Sequence, residues 1–355
     1  MKVIVLTGGG TSGHVTPNIA LLPVLEARGY TVHYIGSKNG IEKQLIEKEG
    51  IAYHPINAGK LRRYFDLKNV SDIFRVVDGF RQAISILGKL KPEIVFSKGG
   101  FVSCPVVWAA WVKKIPVVVH ESDMTPGLTN KLSIPFSKKV CYTFPETKKY
   151  LPEEKGVLTG MPIREGLLMG SVEQGGRLCG FKDSKPVILI IGGSQGSERI
   201  NKTVRSVLDV LTGRFNICHI CGKGNVRNEL EGVSGYKQFE YVNEELPHLF
   251  AAADVIVSRA GATAIFEILA LRKPALLIPL SKAASRGDQI LNAASFEKQG
   301  LSKVLQEEML EGKTLLDGIF ELCQNRQTYM DSMAKLDVGN GSRRIADLLE
   351  ECGKK

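Results

Sequence analysis

Glycine-rich turns that follow apolar strands are the first chemical feature of this sequence. Gly8–Gly13 (GGGTSG) follows the β-branched run Lys2–Thr7 and satisfies the pattern GxGxxG. Glycines in such a turn let the backbone approach an anionic ligand near a helix N-terminus. A dinucleotide site also requires an acidic residue about 20 positions further on, after the second strand. That strand, predicted over 31–35, ends in Gly36 and Ser37. The turn therefore predicts an anionic ligand and disfavours a nicotinamide cofactor.

His14 comes directly after this turn, where a loop that approaches a ligand places a side chain beside it. We predict a helix start nearby, and the positive end of a helix dipole lowers the pKa of a neighbouring histidine. A neutral imidazole accepts a proton, so His14 is a candidate catalytic base or acceptor-binding residue. The alternative is a histidine with a structural role only.

A second glycine turn, Gly192–Gly196 (GGSQG), follows the strand-like run 187–191 and opens a helix predicted over 198–212. Main-chain amides and the Ser194 hydroxyl suit a phosphate or pyrophosphate group. An ordinary tight turn is the alternative interpretation.

A third turn, Ser258–Gly261, leads into a helix predicted over 264–271 that carries Glu267 among apolar residues. A carboxylate in such surroundings needs a partner, and a ribose diol offers two hydroxyl donors. An exposed carboxylate on the helix surface is the alternative. Asp288 and Gln289 follow the loop 282–287 and are further candidates to contact a bound sugar.

The order of these elements predicts the fold class. A length of 355 residues fits two domains of ordinary size. Strands and helices alternate in each half, which predicts parallel sheets with helices on both faces and a ligand cleft at the carboxyl ends of the strands. The segment 156–177 is the predicted linker. Further predicted strands lie at 2–7, 94–97, 116–120, 255–258 and 276–279, and further helices at 19–28, 41–49 and 342–350.

Composition limits the class of protein and its partners. The chain is 43% hydrophobic and 24% charged, as in soluble globular proteins, and we expect neither a signal peptide nor a membrane-spanning helix. Seven cysteines, an odd number, favour reduced thiols in a cytoplasm, and the CxxC of Cys218 and Cys221 is expected to be a pair of buried free thiols. The net charge of +10 favours an anionic partner. No nucleic-acid-binding motif is present, so we expect no nucleic acid partner.

The segment Lys60–Lys98 is basic and carries an apolar stripe at helical spacing. One interpretation is that the stripe faces the domain core. The other is a surface that binds an anionic membrane, and we predict peripheral binding to the inner leaflet. The stripe comprises Ile73, Val76, Val77, Phe80, Ile84 and Leu87, and the membrane interpretation adds Arg62, Arg63, Arg75, Arg81, Trp108 and Trp111.

Several motifs occur in a fixed order along the whole chain: GGGTSGH (8–14), HESDMTPGLTN (120–130), GMPIR (160–164), GGSQG (192–196), SRAGATAIFE (258–267) and DQILNA (288–293). Together they resemble the MurG family of bacterial UDP-N-acetylglucosamine transferases. The resemblance implies a GT-B fold with two Rossmann-like domains. It further implies that residues 1–162 form the acceptor and membrane-side domain and that 163–339 form the domain that binds UDP-N-acetylglucosamine (UDP-GlcNAc). A helix at 340–355 is expected to pack back onto the first domain.

The resemblance also implies an activity. We expect from it that GlcNAc is transferred with inversion from UDP-GlcNAc to the C4 hydroxyl of the undecaprenyl-linked acceptor lipid I, to give lipid II in peptidoglycan synthesis. No cofactor and no metal are expected, and the protein is expected to be peripheral, on the cytoplasmic face of the cell membrane. His14 is the implied base; the implied donor residues are Arg164, Gly193, Ser194, Val242, Thr263, Ala264, Glu267 and Gln289, and the implied acceptor-side residues are Thr11, Ser12, Gly13 and Asp123.

Two motifs depart from the family pattern. Ser12 stands where the family usually has glycine, and Ser122 and Asp123 stand where the family usually reads Gln-Asn. An ionised aspartate only accepts hydrogen bonds, whereas asparagine also donates. A related transferase with another lipid acceptor is therefore an alternative. A UDP-GlcNAc 2-epimerase on a similar scaffold and a non-catalytic nucleotide-binding subunit are also compatible with the sequence.

Overall fold

The computed structural model describes residues 2–59, 68–193, 196–283 and 285–354, without the side chains of 68–73. The chain divides into two compact units. The first comprises Met1–Arg164 together with Gly339–Lys355, and the second comprises Glu165–Val338.

The first unit is a seven-stranded sheet in which all described strand pairs are parallel, in the order β3-β2-β1-β4-β5-β6-β7. Its strands are β1 Lys2–Thr7, β2 Tyr30–Ser37, β3 Ala52–Ile56, β4 Ile94–Ser97, β5 Val117–Glu121, β6 Lys139–Tyr142 and β7 Gly156–Leu158. Its helices are α1 Thr16–Ile19, α2 Leu22–Ala27, α3 Ile41–Lys48, α4 Lys68–Leu90, α5 Ser103–Val112, α6 Leu128–Ser133 and the C-terminal α15 Gly341–Gly353.

Helices cover both faces of this sheet, so the central strands are apolar on both sides. On one face Ile4 and Leu6 of β1 pack with Ile345 and Leu349 of α15. On the other face Val5 packs in a cluster with residues of α4 and α5. The C-terminal helix therefore belongs to the core of the first unit.

The second unit is a six-stranded sheet, also parallel in all described pairs, in the order β10-β9-β8-β11-β12-β13. Its strands are β8 Val187–Ile191, β9 Asn216–Ile220, β10 Tyr236–Phe239, β11 Val255–Ser258, β12 Ala275–Leu277 and β13 Lys303–Val304. Its helices are α7 Val172–Cys179, α8 Glu198–Ser206, α9 Leu208–Arg214, α10 Leu246–Ala252, α11 Ala262–Ala270, α12 Asp288–Lys298, α13 Gly312–Gln324 and α14 Arg326–Ala334.

Strand order reverses once in each sheet, between β1 and β4 and between β8 and β11. The loops after such a pair diverge, and the crevice they leave is where doubly wound sheets bind ligands. Both glycine turns and the Ser258–Gly261 turn leave these strands. The predicted fold class, two Rossmann-like parallel-sheet domains, is confirmed.

Two predicted helices are interrupted. The helix predicted over 19–28 is observed as α2, which begins only at Leu22. The separate helix α1 ends at Ile19, whose carbonyl receives no hydrogen bond from Pro23 because proline has no N–H. The helix predicted over 198–212 breaks at Val207, which joins α8 to α9. Among the helices of the described residues, none is long and apolar enough to cross a membrane.

Candidate active site

The first glycine turn packs against the loop after β4, which contains Gly100, at the β1–β4 switch point. Gly10 has a φ of +91° and Gly100, after β4, has a φ of +83°. A β-carbon on Gly100 would lie 2.1 Å from the carbonyl oxygen of Gly9. No side chain fits between the two loops, so their backbones line this part of the crevice.

Glu42 of α3 fixes the first glycine turn, a role that no sequence motif signals. The carboxylate is fully buried. One oxygen accepts from the Gly10 amide at 3.2 Å, and the other accepts from the Ser37 amide at 3.1 Å and its hydroxyl at 2.5 Å. Both oxygens bind the protein, so Glu42 supports the turn and does not act as a ribose ligand. From the sequence alone, Glu42 cannot be distinguished from any other acidic residue in the first turn of a helix.

His14 is the last residue of a single 3₁₀ turn, Ser12–His14, and it is half-buried. Its amide donates to the Thr11 carbonyl at 3.1 Å. The helix that follows, α1, has only four residues, so the helix dipole predicted to act on His14 is small.

A buried polar brace holds the backbone around His14. Asn18 is fully buried and donates to the Thr7 carbonyl at 3.3 Å and the Tyr34 hydroxyl at 3.1 Å. The Tyr34 hydroxyl donates to the Gly8 carbonyl at 2.7 Å. Burial raises the pKa of Tyr34 far above its usual range, so this hydroxyl stays protonated and keeps donating.

Glu121, at the end of β5, organises the loop that carries Asp123. Its carboxylate accepts from the amides of Asp123 at 2.9 Å and Gly127 at 3.0 Å, and from Asn130 Nδ2 at 2.8 Å. Burial is the largest influence and raises the pKa of Glu121, while these donors oppose the shift. Asp123 is held half-buried at the same edge of the sheet as the glycine turn.

His120 is a structural link and not a base. Its Nε2 lies 3.1 Å from the carbonyl oxygen of Gly160, so this nitrogen carries the proton. Burial, followed by the nearby charge of Lys98, lowers the pKa of His120 well below its usual value. The ring therefore stays neutral and ties β5 to the segment after β7.

In the second unit, the glycine turn after β8 also approaches its neighbours closely. Gly193 and Gly196 have φ values of +94° and +77°. A β-carbon on Gly196 would lie 2.0 Å from the Cys221 carbonyl oxygen. Ser194 lies outside the residues that the structure describes. Cys218 and Cys221 are buried free thiols, as predicted.

Arg259 ties together the loops of this second crevice, although its place in the sequence gives no sign of this role. It is buried, and its guanidinium donates to Ser197 Oγ at 2.7 Å, Glu307 Oε1 at 2.5 Å and the Ile278 carbonyl at 3.2 Å. Burial raises the pKa of Glu307, but hydrogen bonds from the Ser281 amide and Arg259 outweigh it, and the net shift is downward. The arginine thus fixes the loops after β8, β11 and β12.

Helix α11 presents its N-terminus at the switch point. Gly261 is its N-cap, and Thr263 and Ala264 lie in its first turn. Glu267 is only 8% exposed, so the alternative of an exposed helix-surface carboxylate is wrong. The free amides at this helix N-terminus face the crevice and suit a phosphate group. The buried carboxylate of Glu267, one turn further into the helix, suits the hydroxyls of a ribose.

The remaining predicted residues lie in segments that follow strands of the two sheets, and Gln289 is in the first turn of α12. Val242, after β10, is buried beside the exposed Tyr241. Gln289 Oε1 accepts from the Leu280 amide at 3.1 Å, which leaves its NH₂ group as the donor end. Arg164 is half-buried and is the last residue of the first unit before the chain enters the second unit. The structure places Thr11, Ser12, Gly13, His14 and Asp123 on the first unit, and Gly193, Val242, Thr263, Ala264, Glu267 and Gln289 on the second.

Two doubly wound parallel-sheet units, each with glycine turns at its switch point, are typical of the GT-B class of glycosyltransferases. Residues 4–142 match the glycosyltransferase family 28 N-terminal domain, and residues 187–349 match the glycosyltransferase family 28 C-terminal domain. The chain belongs to glycosyltransferase family 28 and is a glycosyltransferase.

Curated relatives are similar over the full length. A protein of Clostridium tetani is 59% identical over 350 residues, which cover 99% of this chain and 98% of the relative. A protein of Clostridium botulinum strain 657 is 59% identical over 354 residues, which cover 100% of both chains. Both are named UDP-N-acetylglucosamine–N-acetylmuramyl-(pentapeptide) pyrophosphoryl-undecaprenol N-acetylglucosamine transferase. The resemblance to the MurG family is confirmed.

Solved structures share the fold. The crystal structure of Acinetobacter baumannii MurG is 26% identical, with a TM-score of 0.77 over 99% of this chain and 100% of that one. A UDP-GlcNAc 2-epimerase of Neisseria meningitidis, solved with bound UDP-GlcNAc, is 18% identical, with a TM-score of 0.68 over 99% of this chain and 100% of that one. At 18% identity, the similarity to the epimerase shows only that the two proteins share a fold.

Proposed function

We propose that this enzyme transfers GlcNAc from UDP-GlcNAc to the C4 hydroxyl of lipid I, with inversion at the anomeric carbon, and so makes lipid II for peptidoglycan synthesis. The main support is the 59% identity, over the whole chain, to relatives named for this transfer. The two switch-point crevices add to it, because each offers glycine-lined backbone suited to a diphosphate.

The second unit is proposed to bind the donor. The first-turn amides of α11 at Thr263 and Ala264 face the nucleotide phosphates, and the buried Glu267 accepts from both ribose hydroxyls. In the same unit, Gly193 and Ser194 are proposed to contact the diphosphate, the Val242 backbone to contact uracil and Gln289 to contact the sugar hydroxyls. Arg164, which belongs to the first unit, is proposed as a further contact to the diphosphate.

The first unit is proposed to bind the acceptor and supply the base. The turn at Thr11, Ser12 and Gly13 holds the acceptor diphosphate, with Asp123 beside it. His14 takes the proton of the C4 hydroxyl while that oxygen bonds to C1 of GlcNAc. The bond from C1 to the UDP oxygen breaks in the same displacement, and UDP leaves with the electron pair. One displacement inverts C1.

No cofactor and no metal is proposed for this displacement, because Arg164 and the N-terminus of α11 supply positive charge for the leaving diphosphate. Excess EDTA is therefore expected to leave kcat within about twofold of its untreated value, as charge stabilisation of this kind comes from the protein. A larger loss that Mg²⁺ or Mn²⁺ reverses would contradict this proposal.

The enzyme is proposed to bind the anionic cytoplasmic face of the cell membrane through one face of α4 and α5. The apolar stripe of α4 divides, since Val76 and Leu87 are buried while Val77 is exposed. Phe74, one turn before Val77 in α4, is also exposed, and Trp111 at the end of α5 is 56% exposed. The side chains of Arg62, Arg63 and Ile73, predicted to contribute, lie outside those described.

Exposed lysines lie next to Trp111. Lys113 and Lys114 follow Trp111 and are exposed. Together with Lys91 they line a groove of about 1230 Å³ that also includes Trp111. Exposed tryptophan beside lysine suits a membrane interface, where the ring sits among headgroups and the ammonium groups meet anionic lipid.

Replacing Lys113 and Lys114 together by glutamine is expected to weaken binding to anionic vesicles about 30-fold, since each lysine near such a surface contributes about 1 kcal/mol. Co-sedimentation with phosphatidylglycerol vesicles measures the loss. The control is Lys223→Gln with Lys298→Gln, which makes the same charge change on the second unit. If both double variants lose vesicle binding equally, the loss reflects net charge alone, and this would contradict a specific membrane-binding face at Lys113 and Lys114.

Acceptor dependence tests the reaction class. The enzyme is incubated with UDP-GlcNAc alone and with a soluble lipid I analogue, and UDP and UDP-ManNAc are both measured. If the enzyme is a transferase, UDP is expected to form rapidly when the lipid I analogue is present and only slowly when it is absent. Formation of UDP-ManNAc without acceptor would instead show a 2-epimerase, the activity named for one structural neighbour.

A further inference from the structure

A pocket of about 650 Å³ lies beside the first glycine turn, and all its described lining residues belong to the first unit. It is formed by the segments that follow β1, β2, β3 and β4, together with Arg75 of α4. Gly10 of the first glycine turn is part of its wall. Pockets that hold small ligands usually have volumes of about 300–1,000 Å³. The size and position of this pocket therefore suit one part of a ligand whose other part contacts the turn.

Hydrogen bonds and packing within the protein fix the walls of this pocket. The ring of Phe101 lies against the turn, since a β-carbon on Gly10 would be 2.8 Å from that ring. After β3, the Asn57 amide donates to Gln82 Oε1 at 2.7 Å, and the Asn57 side chain donates to the Asp78 carboxylate. The loops after β1 and β3 are thus held by their own neighbours, so the pocket is preformed for a ligand.

The charged residues among the described lining residues are both cations. They are Lys38, after β2, and Arg75, and both are exposed. Glu42, which is buried, and Asp78 also contact lining residues, but both carboxylates accept hydrogen bonds from protein groups. A guanidinium carries five N–H donors, so Arg75 can bind a ligand and a protein group together. The pocket therefore favours an anionic ligand.

Helix α3 begins at this pocket and adds to its positive potential. Gly40 is the N-cap of α3, and both Gly40 and Ile41 line the pocket. Amides at a helix N-terminus attract negative charge. Lys38 stands two residues before the N-cap, so the helix end and the lysine belong to the same wall. A carboxylate bound at this wall meets two sources of positive charge.

The position of the pocket indicates which part of the acceptor it fits. The name of the relatives includes N-acetylmuramyl-(pentapeptide) pyrophosphoryl-undecaprenol, in which a diphosphate joins a lipid to a sugar that bears a peptide. A polyprenyl chain needs an apolar lining, whereas Lys38, Asn57 and Arg75 make this lining polar. A peptide ends in a carboxylate, which lysine and arginine bind through charge-assisted hydrogen bonds. The peptide is therefore the part that suits this pocket.

We propose that this pocket is a subsite for the peptide of the acceptor, in which Lys38 and Arg75 bind a peptide carboxylate. The inference rests on the proposed function, because that function places the acceptor diphosphate on the neighbouring turn at Thr11, Ser12 and Gly13. The subsite distinguishes a peptide-bearing acceptor from other lipid-linked sugars through the acceptor KM. Arg75, one of the residues in the membrane interpretation, is assigned here to the substrate.

Changing the peptide carboxylates and the two cations together tests the proposal. Two soluble lipid I analogues are compared, one with free peptide carboxylates and one with the same carboxylates converted to primary amides. For wild type, amidation is expected to raise the acceptor KM about tenfold, the effect of losing exposed ion pairs at two side chains. The double variant Lys38→Gln with Arg75→Gln is expected to show this raised KM already with the free carboxylates, and amidation should raise it little further. The donor KM is expected to stay at its wild-type value.

Two results would overturn the proposal. Equal wild-type KM values for the two analogues would show that the peptide carboxylates are not recognised. A rise on amidation that is as large in the double variant as in wild type would show that the carboxylates bind elsewhere. The second result is also the one expected if Lys38 and Arg75 bind the acceptor diphosphate, because both analogues carry that group.

Two further pairs of substitutions separate a specific contact from net charge. Arg81→Gln with Lys89→Gln makes the same charge change at two exposed residues of α4 that are not among the lining residues, and it should keep the wild-type KM for both analogues. An equal rise of KM in this pair would overturn the proposal. Lys38→Arg with Arg75→Lys keeps both charges and should keep the preference for free carboxylates. The analogues are soluble, so membrane binding does not enter the measured KM.

The wild-type measurement does not require a variant to fold, and it separates the peptide subsite from the proposed function. If wild type transfers GlcNAc to neither analogue, the proposed function fails. If wild type transfers GlcNAc to both analogues with the same KM, only the peptide subsite fails.

Discussion

Replacing His14 by alanine is expected to lower kcat by about 10²–10⁴-fold, the usual effect of losing a general base. The C4 hydroxyl must lose its proton as it attacks, and His14 is the side chain that the first glycine turn presents at the β1–β4 switch point. Donor affinity is expected to change little, because the proposed donor contacts lie on other loops. Steady-state kinetics with both substrates varied separates the two effects.

The matched control for His14 is His54→Gln. His54 lies on β3 and its Nε2 is 3.1 Å from His33 Nδ1, so this change also removes a half-buried histidine from the first unit. The control should retain wild-type kcat. Wild-type turnover in His14→Ala would remove His14 from the mechanism, and a loss confined to KM would make it a binding residue.

Replacing Glu267 by glutamine is expected to weaken UDP-GlcNAc binding about 10–100-fold, because a hydrogen bond to a charged group contributes about 1.5–3 kcal/mol. Glutamine keeps the shape of the side chain and the packing around α11, but it loses one acceptor and the charge. Calorimetric titration with UDP-GlcNAc and with UDP measures the change, and both ligands should weaken equally because both carry the ribose.

Glu229→Gln serves as the control for Glu267, since Glu229 is an exposed carboxylate of the same unit. It should bind UDP-GlcNAc as wild type does. If Glu267→Gln binds UDP normally but UDP-GlcNAc poorly, the carboxylate contacts the sugar and not the ribose. If both ligands bind normally, the assignment of Glu267 to the donor is wrong.

Strands were predictable because buried parallel strands are short, continuous and β-branched. The runs 94–97, 187–191 and 255–258, which the sequence predicts as strands, have the same bounds as β4, β8 and β11. Short outer strands such as β13, with only two residues, carry too little sequence signal. Helix breaks were harder to predict, because the helical pattern of the sequence continues past both of them, and the break at Val207 has no local sequence signal.

The positions of the candidate site were predictable, but the residues that hold it together were not. Glycine turns and Glu267 have local patterns, since backbone approach needs glycine and a lone acid stands out among apolar residues. Glu42 and Arg259 act on loops distant in sequence, through contacts to Gly10 and to Ser197 and Glu307. Lys98 meets Ser122 only because β4 and β5 are neighbours in the sheet.

The central claim is transfer of GlcNAc from UDP-GlcNAc to lipid I, and the most direct test uses a short-chain lipid I analogue. Labelled UDP-GlcNAc is supplied with this analogue and, in parallel, with other lipid-linked sugar acceptors, and the product linkage is determined. We expect a β-linkage to the C4 hydroxyl of the muramyl sugar and the highest kcat/KM for the lipid I analogue. No transfer to this analogue by an enzyme that binds UDP-GlcNAc, or a higher kcat/KM for another lipid acceptor, would contradict the claim.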